Sequence, residues 1–199
     1  MNPRTLNPDE IRNLLHTLTP RSPFGARDLA MLVLALHTGL RVSELVGLDV
    51  SHVASSQGPR QTLDLPAGLA KGGSGRLIPF NQVARDAIAD ILAFNQRRGF
   101  SVAPGAPLFV NRRHQRLSTR YVQRLMEALR NQADLDVHAT PHTLRHTFAS
   151  QVARKHGNLR AVQALLGHRR LATVEIYTHV DRQELAEAVA TLEQTLPQP

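Results

Sequence analysis

The stretch PHTLRHTFAS, residues 141–150, sets two histidines and an arginine on the opening turns of a predicted helix. A helix N-terminus already carries positive potential, so added cations are unfavourable there unless an anion comes to meet them. His142 and Arg145 are three positions apart and share a helix face, and His146 lies four beyond His142. His138, His142 and His146 also repeat at a metal-site spacing. Pro141 separates His138 from the helix, however, and neither an HExxH pattern nor an acidic cluster accompanies the three. The sequence therefore points to an anionic partner rather than to a metal.

Other residues become candidates by type and place. Arg41 follows a helix-stopping glycine in TGLRVSEL, with Glu44 three residues on to hold it by an ion pair. Lys71 lies in a glycine-rich turn and is one of two lysines, the other being Lys155. Lysine can release a proton in catalysis where arginine practically cannot. His168 ends ALLGH just past a helix stop, and Tyr177, in VEIYTHV, is one of two tyrosines. Taken singly, each has an ordinary structural explanation: a solvated arginine, a soluble turn lysine, a histidine complementing a helix dipole, a packing tyrosine.

Composition narrows the partner. The 199 residues hold 24 Lys plus Arg against 16 Asp plus Glu, a net charge of +8, and arginine supplies nearly all of it. Arginine favours bidentate contact with phosphate, so the balance suggests nucleic acid. The apolar run LAMLVLAL is too short to span a bilayer and reads as a buried helix. With no cysteine there is no disulfide or thiolate metal site, and the first residues show no signal-peptide pattern, so a cytoplasmic location is expected.

The elements that must position these residues are mostly helical. Asn7-Pro8-Asp9-Glu10 reads as a capped helix start. A central helix is predicted from about Phe24 to Thr38, stopped by Gly39, with Ser43 starting a short third helix. From about Leu48 to Pro79, LDVSHV, RQTLDLP and GRLIPF suggest a three-stranded antiparallel sheet with KGGSG as its loosest turn. Helices resume at NQVARDAIADILAFNQRRG, at Ser118–Gln132, at Thr140–His156, and from the Asn158 cap to Gly167. TVEIYTHV reads as one or two helical turns, and DRQELAEAVATLEQTL as a last amphipathic helix. The expected class is mainly α with a small β-sheet.

Arg41, Lys71, His142, Arg145, His168 and Tyr177 stand in the order R…K…HxxR…H…Y, within TGLRVSEL, the β turn, HTLRHTFAS, LLGH and the segment before THV. In this the sequence closely resembles the catalytic domain of the tyrosine recombinase, or phage integrase, family. The resemblance implies a DNA breaking-rejoining fold and site-specific recombination of double-stranded DNA through a covalent 3′-phosphotyrosine. It makes Arg41 and Arg145 phosphate clamps, with His168 adding a hydrogen bond to the same phosphate. Tyr177 becomes the nucleophile, His142 the base, Lys71 the acid that protonates the departing 5′ oxygen, and Glu44 a residue orienting a basic group. No metal or cofactor is expected.

The same resemblance implies a catalytic domain over residues 1–180, a C-terminal helix and tail over 181–199, and self-association on DNA as dimer to tetramer. The N-terminal core-binding domain of most members is expected to be absent. The last helix carries a seam of Leu185, Val189, Leu192 and Leu196 that would pack on its own domain or dock on a neighbouring protomer. Two other activities share the basic surface: a type IB topoisomerase-like nicking-closing enzyme, and a non-catalytic DNA-binding regulator, which would need neither Tyr177 nor Lys71. Arg112, Arg113, Arg116, Arg120 and Arg124 are either DNA contacts or a solvated face.

Overall fold

The computed structural model describes residues 5–18, 22–70, 73, 75–133, 135, 139–167 and 182–193. The architecture is helical around one nearly all-apolar helix, α2 (Gly25–Thr38), which has twelve buried residues. A helix apolar on every side must lie in the centre, and α2 packs against both α5 (Gln82–Arg97) and α7 (Pro141–His156). Helix α1 (Pro8–His16) starts where the sequence indicates: the Asn7 side chain accepts from the Glu10 N–H and Glu10 returns a bond to the Asn7 N–H. The side chains of Asn81, Ser118, Thr140 and Asn158 accept from first-turn N–H groups of α5, α6 (Thr119–Gln132), α7 and α8 (Leu159–Leu166), and at α7 Thr143 returns a bond to the Thr140 N–H. Among the described residues no helix is long and apolar enough to cross a membrane.

Gly39 ends α2 in the left-handed conformation at φ 62°. A Cβ there would lie 2.3 Å from Cδ1 of Phe148 on α7, so the turn needs glycine for space as well as for torsion. That contact brings the start of α3 (Val42–Gly47) close to α7.

Among the described residues, the antiparallel strands predicted as one three-stranded sheet form two two-stranded sheets. LDVSHV contains instead a helical turn, α4 (Val50–Val53), and the strands form two separate hairpins, β1 (Ala54–Ser55) with β2 (Gly58–Pro59) and β3 (Thr62–Leu65) with β4 (Arg76–Pro79). Leu48 and Val50, both buried, alternate as in a strand, whereas Val50 and Val53, also buried and three apart, share one face of a helical turn. Tertiary contacts decide it. The Val50 and Ser51 N–H groups bond to the carbonyls of Ala106 and Pro104, and the Asp49 N–H bonds to Nδ1 of His52. Asn7, not a residue further on, caps α1 as expected, but α3 begins one residue before Ser43 with Arg41 at its cap.

Helix α9 (Arg182–Ala190) packs on α7, α8 and β4 of the same chain. Leu185, Val189 and Leu192 of the predicted seam are buried there, together with Ala188; Leu196 lies outside the described residues. The Asn81 amide ties this helix down, donating to the Val189 carbonyl and bonding to Nδ1 of buried His37.

Candidate active site

Arg41 is held at the N-cap of α3 in extended conformation, φ −68° and ψ 151°. Glu44, at the third helical position, reaches back over it: Oε2 accepts from the Arg41 backbone N–H at 2.9 Å and Oε1 from Arg41 Nη1 at 2.8 Å. This Glu half of a capping box satisfies an orphan donor of the helix and orients the arginine with the same carboxylate.

The carboxylate is fully buried and has a second arginine. Arg76, the first residue of β4, donates from Nη2 to Glu44 Oε2 at 2.7 Å and from Nη1 to Oε1 at 3.1 Å. Burial alone would raise the Glu44 pKa. The hydrogen bonds from Arg76 and the Arg41 backbone, with the charge of Arg76, reverse that and bring it down to about 2. Glu44 is therefore an anion at neutral pH.

Arg145 joins from the second turn of α7. It is buried, and its Nη1 donates to the Gly39 carbonyl at 2.5 Å and its Nη2 to the Leu166 carbonyl at 2.7 Å. Burial, then the charges of Arg41 and Arg76, lower its pKa to about 10, with Glu44 opposing. It is still a cation at neutral pH. Among the described residues three guanidinium groups thus share one carboxylate, an excess of +2 (three less one). Arg41 is the more open of the two arginines bonded to Glu44, with 24% of its side-chain surface exposed against 6% for Arg76. Such a cluster is suited to an external anion: among the described residues Glu44 is the carboxylate bonded to Arg41 and Arg76.

The structure brings together Arg41, Glu44 and Arg145 among the residues singled out from sequence. His142 is exposed on the first turn of α7, its ring edge-to-face with His146 at 4.4 Å. Lys71, His168 and Tyr177 lie outside the described residues, as does His138. In the sequence, Lys71 falls between β3 and β4, and His168 follows Gly167, the left-handed stop of α8.

Tyr121, the other tyrosine, is committed elsewhere. Its hydroxyl donates to Asp28 Oδ2 at 2.7 Å and accepts from Arg27. Burial and then the charge of Asp28 push its pKa up to about 12, the reverse of what a nucleophilic phenol needs. Of the five arginines around α6, Arg116 is used internally. It donates to the carbonyls of Val46 and Leu48 and pairs with Asp49, fixing the end of α3. Arg112, Arg113, Arg120 and Arg124 are exposed.

Arg76 was not singled out by sequence reasoning, yet a signal existed. In the strand period it falls on the same face as Ile78, and Leu65 and Leu63 lie opposite them, all buried. An arginine in an inward register position requires a buried anion nearby, and Glu44 is that anion.

The phage integrase family model matches residues 4–184. The tyrosine recombinase XerD of Halalkalibacterium halodurans is 36% identical over 188 residues, which cover 94% of this chain and 61% of that protein. The tyrosine recombinase XerC of Vibrio campbellii is 38% identical over 187 residues, 94% of this chain and 56% of that protein. The chain thus spans between half and two thirds of the length of these relatives. Among solved structures, the XerA recombinase superposes with a TM-score of 0.69 at 31% identity, covering 93% of this chain and 63% of that one. The XerH site-specific recombinase bound to palindromic difH substrate, in a post-cleavage complex, superposes with a TM-score of 0.68 at 26% identity, covering 97% of this chain and 54% of that one.

Proposed function

Because this chain belongs to the phage integrase family, we propose that it is a tyrosine-type site-specific DNA recombinase, cutting and rejoining strands of double-stranded DNA at defined sites and self-associating there. The observation that carries this reading is the arginine cluster around Glu44, an electropositive site with Arg41 at its open side. A phosphodiester is the partner such a site fits. Its transition state places negative charge on the non-bridging oxygens, and preorganised cations stabilise that charge. Arg41 and Arg145 clamp those oxygens, each contributing roughly 10²–10³ in rate by analogy with oxyanion-hole donors. His168 donates to the same phosphate.

The Tyr177 hydroxyl attacks phosphorus and passes its proton to His142. The bond from phosphorus to the 5′ oxygen breaks, and Lys71 protonates the departing oxygen. A 3′-phosphotyrosine and a free 5′ hydroxyl result, and attack by a 5′ hydroxyl on that ester reverses the step and rejoins a strand. The phosphodiester energy is kept in the covalent link, so no ATP enters. A DNA substrate implies a cytoplasmic site of action.

The test uses a pool of nicked duplexes with a randomised core, in which the fragment bearing the 5′ hydroxyl diffuses away and traps the adduct. The full chain is expected to form a denaturant-resistant protein–DNA adduct on a subset of duplexes. Tyr177→Phe should abolish the adduct and leave DNA binding within about twofold of the parent, since the phenol oxygen contributes to chemistry rather than to affinity. An adduct that persists in Tyr177→Phe removes that residue from the nucleophile role. Plasmid relaxation without exchange between two recovered sites would indicate a nicking-closing enzyme instead.

A further inference from the structure

We propose that Arg76 is a positioning residue for this site: its planar fork holds the Glu44 carboxylate and the Leu165 carbonyl together, and so sets Arg41 and the end of α8 in one geometry. The proposal rests on the reading of Arg41 and Arg145 as phosphate clamps. Arg76 itself is buried, so it acts through its neighbours.

All three kinds of guanidinium nitrogen are engaged. Nη1 and Nη2 grip the two Glu44 oxygens, and Nε donates to the Leu165 carbonyl at 2.7 Å. The next carbonyl, Leu166, accepts from Arg145. The last carbonyls of a helix have no partner within it and lie at the negative end of its dipole. Two guanidinium groups therefore cap α8 on successive carbonyls, directly before Gly167 and His168. Gly167 fits this contact: at φ +64° a Cβ would lie 3.0 Å from Arg76 Cδ, so the chain passes close against the arginine stem.

Arg76 also opens β4 and pairs with Leu65, the last residue of β3, so it closes the hairpin whose connecting sequence includes Lys71. One side chain thus joins the segment carrying Arg41, the hairpin leading to Lys71 and the helix leading to His168. Lysine could supply the charge, but its ammonium cannot meet two carboxylate oxygens and a carbonyl in one plane.

The test compares the full chain with Arg76→Lys, which retains the charge and most of the stem. Thermal melting reports folding, filter binding reports affinity, and single-turnover adduct formation is measured on the nicked duplex recovered from the pool. Nitrogen-15 NMR of the Arg41 Nε–H reports side-chain order directly. Arg76→Lys is expected to melt cooperatively and to bind DNA within about twofold of the parent. Its adduct rate should fall about 10²-fold, the scale expected for a misplacement of about 1 Å, and the Arg41 signal should broaden or exchange faster.

A folded Arg76→Lys with unchanged rate and unchanged Arg41 signal would overturn the proposal. If this variant does not melt cooperatively, the double variant Glu44→Gln with Arg76→Gln replaces it. That variant removes both buried charges together, so neither is left unpaired, and full adduct rate in it would likewise overturn the assignment. Failure of the parent chain to form any adduct would count against the recombinase reading alone, because the Arg41 signal still decides whether Arg76 positions that side chain.

Discussion

Glu44 carries the electrostatics of the site in one carboxylate, without surface exposure and with two arginines bonded to it. Its pKa is depressed in the folded protein, to about 2. The sign of the pH effect follows: the stabilisation is complete above the unfolded-chain value of about 4.3 and is lost as pH falls through that value toward 2. Glu44→Gln removes the effect and leaves Arg76 buried without an anion. Urea unfolding at pH 7 should show a loss of about 3–5 kcal/mol, the usual cost of breaking a buried pair. The variant's remaining stability should fall less steeply than the parent's between about pH 5 and pH 2. A parallel acid limb in the two proteins would mean that Glu44 does not titrate as the structure requires.

The turn between α2 and α3 makes the site depend on a glycine. Gly39 stops α2, its carbonyl binds Arg145, and Arg41 follows two residues later. The Phe148 ring occupies the space where a Cβ would stand. Gly39→Ala combines the left-handed penalty of roughly 1–2 kcal/mol with an overpacking cost of roughly 1–3 kcal/mol. Chemical denaturation should therefore show a loss of about 2–5 kcal/mol, and adduct formation should fall even at temperatures where the variant is folded. A neutral outcome in both would show that the α2–α7 contact does not set the arginine. Helix α9 depends on its own domain in a comparable way. Leu185, Ala188, Val189 and Leu192 lie in the core, so removing this helix perturbs folding as well as any contact it makes with another subunit.

Across the whole molecule the net charge of +8 favours a polyanionic partner. Exposed Arg120 and Arg124 lie four apart on one face of α6, which contacts both α3 and α7, the helices that carry Arg41 and Arg145. A backbone role for these two predicts a definite salt response. The logarithm of the binding constant falls with the logarithm of salt by about 0.9 for each phosphate neutralised. Replacing both with alanine should reduce that slope by about 2 and weaken binding similarly on all duplexes. The adduct rate at saturating DNA should not change. An unaltered slope would make this face a solvated one.

Local signals in the chain were enough to place most helices, because each carries its own stop and start: Asn7 with Glu10, Ser118, Thr140 with Pro141, Asn158, and the stops Gly39, Gly157 and Gly167. The order of Arg41, Lys71, His142, Arg145, His168 and Tyr177 was likewise enough to identify the family. Pairing was not legible. LDVSHV satisfies strand and helix patterns alike, and the carbonyls of Pro104 and Ala106, some fifty residues away in the chain, decide between them. The partner of Glu44 is equally remote. Its nearest arginine in sequence, Arg41, was visible at a spacing of three, but Arg76 is 32 residues distant and reaches it only because the β3–β4 hairpin folds inward. Local propensity is a property of neighbours along the chain. Which buried charge meets which, and therefore where the excess cation is exposed, depends on chain segments converging in space, and only the tertiary structure determines that.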